Sequence, residues 1–385
     1  MKIYDVTKGH VTRGIRSTDM VIRWKSTVTM TKVKIDEVRR FIVDCLKAAG
    51  APEQAATEHA NLLIYADSVG HSSHGLNRLL YYVNDCKSGA CTPAVTPKIL
   101  RETEATAWVD GSNALGATIG SFCMNVAIEK AKNCGVAWVA AKQCNHFGMG
   151  SYWTEMAVRH GLIGFSFTNT SPLMVPTRSK KKALGTNPIS MAAPADQGDK
   201  LVVDLATTAV ALGKIEMQVH KDEPLPAGWA LGPDGRPTTD SKKAFKAAHL
   251  MPLGGEELTS GHKGYALAAM VEILCSGLSG SKVGHKVRSW VSNDKSPPNL
   301  GQCYAAINPD CFGPDFAKRL SESLSAWRNL DPIDKSRPVL APGDMEQSIG
   351  KNTKASGTLN YPPKQIKAVK ALAVRLSVKP LQVEP

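Results

Sequence analysis

The chain has 385 residues, of which 43% are hydrophobic and 21% charged, enough for two or three domains with a buried core. No uncharged apolar run reaches the roughly 18–20 residues of a membrane span, since the nearest, Tyr265 to Leu278, carries Glu272. The net charge of +13 is dispersed apart from Arg178, Lys180, Lys181 and Lys182, and no zinc-finger or RNA-binding signature accompanies it. That pattern points away from nucleic acid and toward small anionic ligands.

Nine cysteines, an odd number without a Cys-x-x-Cys pair, read as free thiols in a reducing compartment, the cytoplasm. Residues 1–29 hold six Lys/Arg against Asp5 and Asp19, with no periodicity. They read as a disordered extension; a mitochondrial transit peptide is the alternative, and the two acids count against it. The globular part begins at Met30.

Helix follows helix from there. Ile35, Val38, Ile42, Cys45 and Leu46 recur at helical spacing until Gly50, and Pro52 opens a second helix running to about Asp67. Ser73 reads as the N-cap of a third, with His74 in its first turn and Arg78 four residues on along the same face. An imidazole beside a helix N-terminus stays neutral, and a guanidinium on the same face suits a carboxylate. A capped surface helix with an incidental His and Arg fits the spacing equally. His71 and His74 form a His-x-x-His pair with no third ligand evident, so no metal is expected.

A strand at 106–111 and a helix from about Leu115 to Asn133 lead into the most informative stretch. Val136 to Ala141 reads as a buried strand, Gln143 to Gly148 as a polar turn, Ser151 to His160 as a helix, and Leu162 to Thr168 as a second strand. Such strand-to-helix corners commonly carry sites. Gly148-Met149-Gly150 imitates a dinucleotide fingerprint, but the third glycine would fall at Trp153, whose indole obstructs close helix–strand packing. Any nicotinamide cofactor is therefore held in another way.

Leu201 to Thr208 reads as a strand in which Asp204 suits either ribose hydroxyls or the cap of a helix through Gly213. Residues 224–240 read as loop, and Lys263 opens a long apolar helix where it would meet a phosphate or only solvent. The tail holds a helix from about Pro314 to Trp327, a turn at Ala341 to Asp344, and a helix around Ile366 to Leu376.

Taken together, the motifs resemble the malate/L-lactate dehydrogenase-like family of non-Rossmann oxidoreductases, which includes ureidoglycolate dehydrogenases and diketogulonate reductases. The resemblance covers about Met30 to Ser348. It rests on Tyr65-Ala66-Asp67 with Ser73-His74-Gly75 and Arg78, Asn145-His146-Phe147-Gly148, Gly185-Thr186-Asn187-Pro188, Asp204-Leu205-Ala206-Thr207, Gly213-Lys214, residues 237–240, Gly264-Tyr265 and Asn299-Leu300-Gly301-Gln302.

The resemblance implies a mixed-sheet α/β fold binding NAD or NADP, with a helical domain built from both ends of the chain. That division assigns 30–105 with about 300–385 to the helical substrate domain. It assigns 106–300 to the cofactor domain, with a loop-rich insertion around 220–260. It implies a homodimer that interconverts a malate- or lactate-like 2-hydroxy acid and its 2-oxo acid. His146 or His74 would transfer the proton, with Ser73 and Arg78 around the substrate. Thr170, Asp204, Leu205, Ala206, Lys263 and Gly264 would line the cofactor. Reduction of a cyclic imino acid or keto-sugar acid is an alternative, and so is a catalytically silent relative. Two departures from the family pattern, Val69 and the basic run Thr177 to Lys182, bear on substrate anchoring and on NADP preference.

Overall fold

The computed structural model describes residues 29–290 and 294–384, so the expectation for residues 1–28 lies outside the described residues. Strand β1 (Thr31–Lys34) feeds α1 (Ile35–Lys47), whose Val38, Phe41, Ile42, Cys45 and Leu46 are all buried, as their spacing requires. Helix α2 (Glu53–Ser68) starts just after Pro52, whose extended backbone and missing N–H suit that place. The chain then makes two 3₁₀ turns, Ser72–His74 and Leu76–Arg78, before α3 (Leu79–Ser88).

The α/β part begins with β2 (Lys98–Glu102) and β3 (Thr106–Asp110), then α4 (Gly116–Cys134) and β4 (Val136–Cys144). Next come α5 (Gly150–Val158), β5 (Ile163–Thr168), β6 (Ile189–Pro194) and β7 (Lys200–Leu205). Helix α6 (Leu212–Lys221) leads to β8 (Ala230–Leu231) and β9 (Pro237–Thr238), then α7 (Ser241–Ala247) and β10 (His249–Leu250). The run read as loop therefore carries two strands of a small β10-β8-β9 sheet. Helix α8 (Gly261–Glu272) runs on into a π turn, and β11 (Leu300–Ile307) follows.

The main sheet has the order β2-β3-β4-β11-β5-β6-β7, and only β3 and β4 pair in parallel. This mixed order is not that of a doubly wound dinucleotide fold. Trp153 is wholly buried, and its ring lies 2.6 Å from where a Cβ on Gly120 of α4 would stand. The indole thus occupies the space that a fingerprint glycine would keep clear.

Strand β11 is central and inserts between β4 and β5, antiparallel to both. This strand, next to the boundary expected near residue 300, hydrogen-bonds on both edges within the α/β sheet. At the other end β2, expected in the helical part, pairs with β3.

Beyond β11 lie α9 (Phe316–Arg328), α10 (Asp344–Ser356), β12 (Thr358–Tyr361) and α11 (Pro363–Leu376). Ile366, Val369, Leu372 and Leu376 of α11 join the core formed by α1, α2 and α3, while β12 pairs with β1. The helical unit is thus closed by the two ends of the chain. No helix among the described residues is long and apolar enough to cross a membrane.

Candidate active site

His146 stands at the corner between β4 and α5. Asn145 fixes the turn: its Nδ2 donates to Asn113 O at 3.0 Å and Ala114 O at 2.8 Å, and its carbonyl accepts from Gln302 Nε2 at 2.7 Å. A Cβ on Gly116, the first residue of α4, would lie 1.9 Å from His146 O, so the close approach of the two backbones requires glycine there.

The His146 ring is enclosed by other rings. Tyr82 Oη lies 2.6 Å from Nδ1, and Gly148 N–H lies 3.2 Å from the same nitrogen. The Trp290 indole stacks at 4.3 Å between centroids, and the His74 imidazole at 5.9 Å. Burial holds the His146 pKa well below the ordinary histidine value, with His74, Arg78 and His59 adding repulsion. The ring is therefore neutral at pH 7, and Nε2 is the nitrogen left open to a ligand.

The His74 segment departs from the expected capped α-helix. Gly75, at φ −94° and ψ −143°, breaks the path between the two 3₁₀ turns, and Ser73 makes no capping hydrogen bond. Instead, Ser73 Oγ lies 2.9 Å from His74 Nδ1, and Arg78 Nε donates to Ser73 O at 2.6 Å. Arg78 and His74 are thus brought together by a folded-back turn and not by a shared helical face. Arg78 also lies over the Tyr81 ring, 5.7 Å from its centroid.

Asp67 organises this turn. Its Oδ2 accepts from Leu76 N at 2.9 Å and from Tyr361 Oη at 2.8 Å. A Cβ on Gly75 would fall 1.9 Å from Asp67 Oδ1, which explains the glycine. Burial raises the Asp67 pKa to about 7 against those hydrogen bonds. His74 is lowered to about 4, first by burial and then by Arg78 and His71, so desolvation and not a helix terminus keeps it neutral. His71 Nε2 faces Glu346 Oε1 at 3.2 Å, so the two histidines of the His-x-x-His pair address different partners.

The residues expected around the cofactor fall into two groups. Thr170 Oγ1 accepts from Thr186 N at 2.9 Å, Thr207 N donates to Thr186 O at 2.9 Å, and Leu253 N donates to Thr207 O at 2.8 Å. A Cβ on Gly264 would stand 2.3 Å from Leu253 O, so the first turn of α8, with exposed Lys263, closes on this ladder beside Ala206.

Asp204 and Leu205 instead line a cleft of about 540 Å³ between β7 and the start of α10. Asp204 does not cap the helix through Gly213: its Oδ2 accepts from Ser151 N at 2.7 Å, at the start of α5, and burial raises its pKa. Met149, Tyr65, His71, Lys200, Glu346 and Lys351 also line the cleft. None of these six was singled out as a cofactor residue. Helix α10 opens after Gly343 with Asp344 and Glu346 in its first turn, so its positive end already faces carboxylates.

Sequence reasoning also missed Tyr82 and Trp290, which sat in an apolar helix and a basic loop without any local signal. The Arg178–Lys182 run lies apart from the His146 cluster, with Arg178 paired to Glu257 at 2.6 Å.

Comparison with known proteins agrees with this architecture. A profile of the malate/L-lactate dehydrogenase family matches residues 33–370, and the chain belongs to that family. It is an oxidoreductase acting on CH–OH groups, of the 2-hydroxy acid dehydrogenase kind, and the family implies a nicotinamide cofactor. The L-sulfolactate dehydrogenase of Methanocaldococcus jannaschii is 38% identical over 317 residues, covering 82% of this chain and 89% of the relative. The malate dehydrogenase of Pyrococcus abyssi is 39% identical over 301 residues, covering 77% and 82%. The structure of malate dehydrogenase from Pyrococcus horikoshii superposes with a TM-score of 0.84 at 32% identity, covering 93% of this chain and 99% of that one.

Proposed function

We propose that the protein is an NAD(P)-dependent dehydrogenase that interconverts a malate-, lactate- or sulfolactate-like 2-hydroxy acid and its 2-oxo acid, with His146 as the acid/base. The observation that carries this reading is the cage of rings that fixes Nδ1 of His146 and leaves Nε2 open. In oxidation His146 takes the hydroxyl proton at Nε2; for this step the contact in which Gly148 N–H donates to Nδ1 gives way to the Nδ1–H tautomer, which donates to Tyr82 Oη. The bound nicotinamide supplies the hydride acceptor.

Arg78 holds the substrate carboxylate. Its Nε is engaged by Ser73 O, so the pair of Nη atoms forms the end-on grip. His74 and Ser73 wall the same side. An anionic substrate beside His146 raises the proton affinity of the ring and loads it for the reverse reaction.

The cleft between β7 and α10 suits the dinucleotide. Its size lies within the usual range for ligand pockets, Val202, Val203 and Leu205 give an apolar wall, and Lys351 and Lys354, toward the far end of α10, add positive charge. Asp204, Leu205, Ala206, Thr170, Lys263 and Gly264 are the cofactor-side residues in this reading. The resemblance supports a homodimer, and nine free cysteines fit a cytoplasmic setting.

The test follows absorbance of the reduced nicotinamide with both cofactors and a panel of 2-oxo acids, cyclic imino acids and keto-sugar acids. Turnover of 2-oxo acids is expected. Turnover of imino acids alone would reassign the substrate class, and cofactor binding without any turnover would make the chain a silent relative.

A further inference from the structure

Asp85 lies on α3, three residues beyond Tyr82, and has no place in the reaction described so far. Its Oδ2 accepts from Trp290 Nε1 at 2.8 Å, and its Oδ1 accepts from Arg288 Nη2 at 2.8 Å. Arg288 is almost wholly buried, so this ion pair is shielded from solvent. On the other side Ser171, next to Thr170, ties the same segment down. Its Oγ donates to Arg288 O at 2.8 Å and lies 3.2 Å from Trp290 N. Residues 288–290 thus form a strap pinned to the helical unit by Asp85 and to the α/β unit by Ser171. The indole it carries lies over His146 and meets Tyr82 edge-on at 5.3 Å.

We infer that Asp85 is a positioning residue for proton transfer, acting through the indole of Trp290 on the imidazole of His146. One helix then controls both degrees of freedom of the ring. Tyr82 fixes it in its plane at Nδ1, and Asp85 fixes the plate that covers its face. Without the Nε1–H bond the indole can turn about its χ angles, water reaches the ring, and Nε2 loses its aim. A misplacement on the order of 1 Å costs about 100-fold in rate. The titratable and charged groups that face His146 are His74 and Arg78 from the turns, His59 from α2 and Tyr82 from α3. Asp85 also acts on Tyr82 through its charge and neutralises buried Arg288, so Trp290→Phe, which keeps both charges, is the cleaner of the two changes below.

This inference rests on His146 being the acid/base, and the experiment separates the two. Trp290→Phe keeps a ring over His146 but removes the N–H, and Asp85→Asn keeps an acceptor but removes the charge. For both, kcat is expected to fall about 10- to 30-fold with KM within about 2-fold. The histidine limb of the pH–rate profile should move up toward the ordinary value of about 6.5 as the ring becomes wet. In a His146→Ala background neither change should lower the residual rate further.

Wild-type kcat and an unmoved limb in both variants, while His146→Ala is inactive, would overturn the role of Asp85 alone. Full activity of His146→Ala would overturn the acid/base assignment and this inference with it. A loss confined to thermal stability or cofactor affinity would make the strap merely structural. If Asp85→Asn does not fold, Trp290→Phe decides the question.

Discussion

Around His146 the walls are rings and the imidazoles lose their charge: His74 is lowered to about 4 and His59 to about 3, in both cases first by burial. Across the same corner, the cleft between β7 and α10 has ionic walls, with Lys200 paired to Glu155 at 2.7 Å and His71 facing Glu346 at 3.2 Å. The difference is one of dielectric. Enclosure by rings lowers the proton affinity of the imidazoles, whereas the cleft holds paired charges beside Asp204, whose pKa burial raises. In the reading proposed above, chemistry and binding are separated on the two sides of one β–α corner.

The largest expected effect strikes the His146 side alone. His146→Ala should lower kcat by about 10²- to 10⁴-fold while cofactor affinity, read by fluorescence, stays within about 2-fold. Equal losses in both would show that the two sides are not separate.

Next comes acid stability. A histidine whose folded pKa is depressed contributes stability that is lost as pH falls below its unfolded value of about 6.5. His59 and His74 should each cost roughly 2 kcal/mol between pH 6.5 and 5, at 1.36 kcal/mol per unit. Asp67, raised to about 7, has the opposite sign and offsets part of that loss on the same descent. Urea unfolding at the two pH values should therefore show a steeper acid loss in Asp67→Asn than in the wild type. Parallel curves would mean that Asp67 is ionised throughout.

Arg78→Lys keeps the charge but loses the two-pronged grip, and kcat/KM should drop about 10- to 100-fold, roughly 1.5–3 kcal/mol. Wild-type efficiency would return the residue to its packing contact with Tyr81 and its bond to Ser73 O. The smallest effect belongs to the cleft rim. Lys351→Glu with Lys354→Glu should weaken cofactor binding several-fold, on the order of 1 kcal/mol, with kcat unchanged. A greater loss for NADP than for NAD would place the extra phosphate there; no change for either would move the dinucleotide elsewhere.

Much of this was legible in the residues. Helical spacing located α1, α2, α4 and α5, and the apolar runs located β4 and β5. The histidines and Arg78 could be named because motifs carry them locally. The central strand escaped notice because Leu300 to Ile307 is buried on both faces and shows no alternation. Helix α10 escaped because it has no fully buried residue and therefore no apolar stripe. The misread start at Ser73 has a single cause, since Asp67, six residues upstream, takes Leu76 N–H and draws the backbone off the helical path. Trp290 and Asp85 are joined across 205 residues, a separation at which a single sequence carries no signal.

The insertion of β11 between β4 and β5 also has a consequence for the order in which the chain can fold. Cys144 ends β4, Thr168 ends β5 and Leu300 opens β11, so both strands must wait for a partner well over 100 residues downstream. During synthesis both present unpaired edges until Ile307 has left the ribosome, and α11 cannot complete the helical core before that. Contacts of such sequence separation are formed late and slowly. The nascent chain is therefore most exposed to misassociation over its middle third, and a truncation before Leu300 should yield an aggregating fragment, not a smaller enzyme.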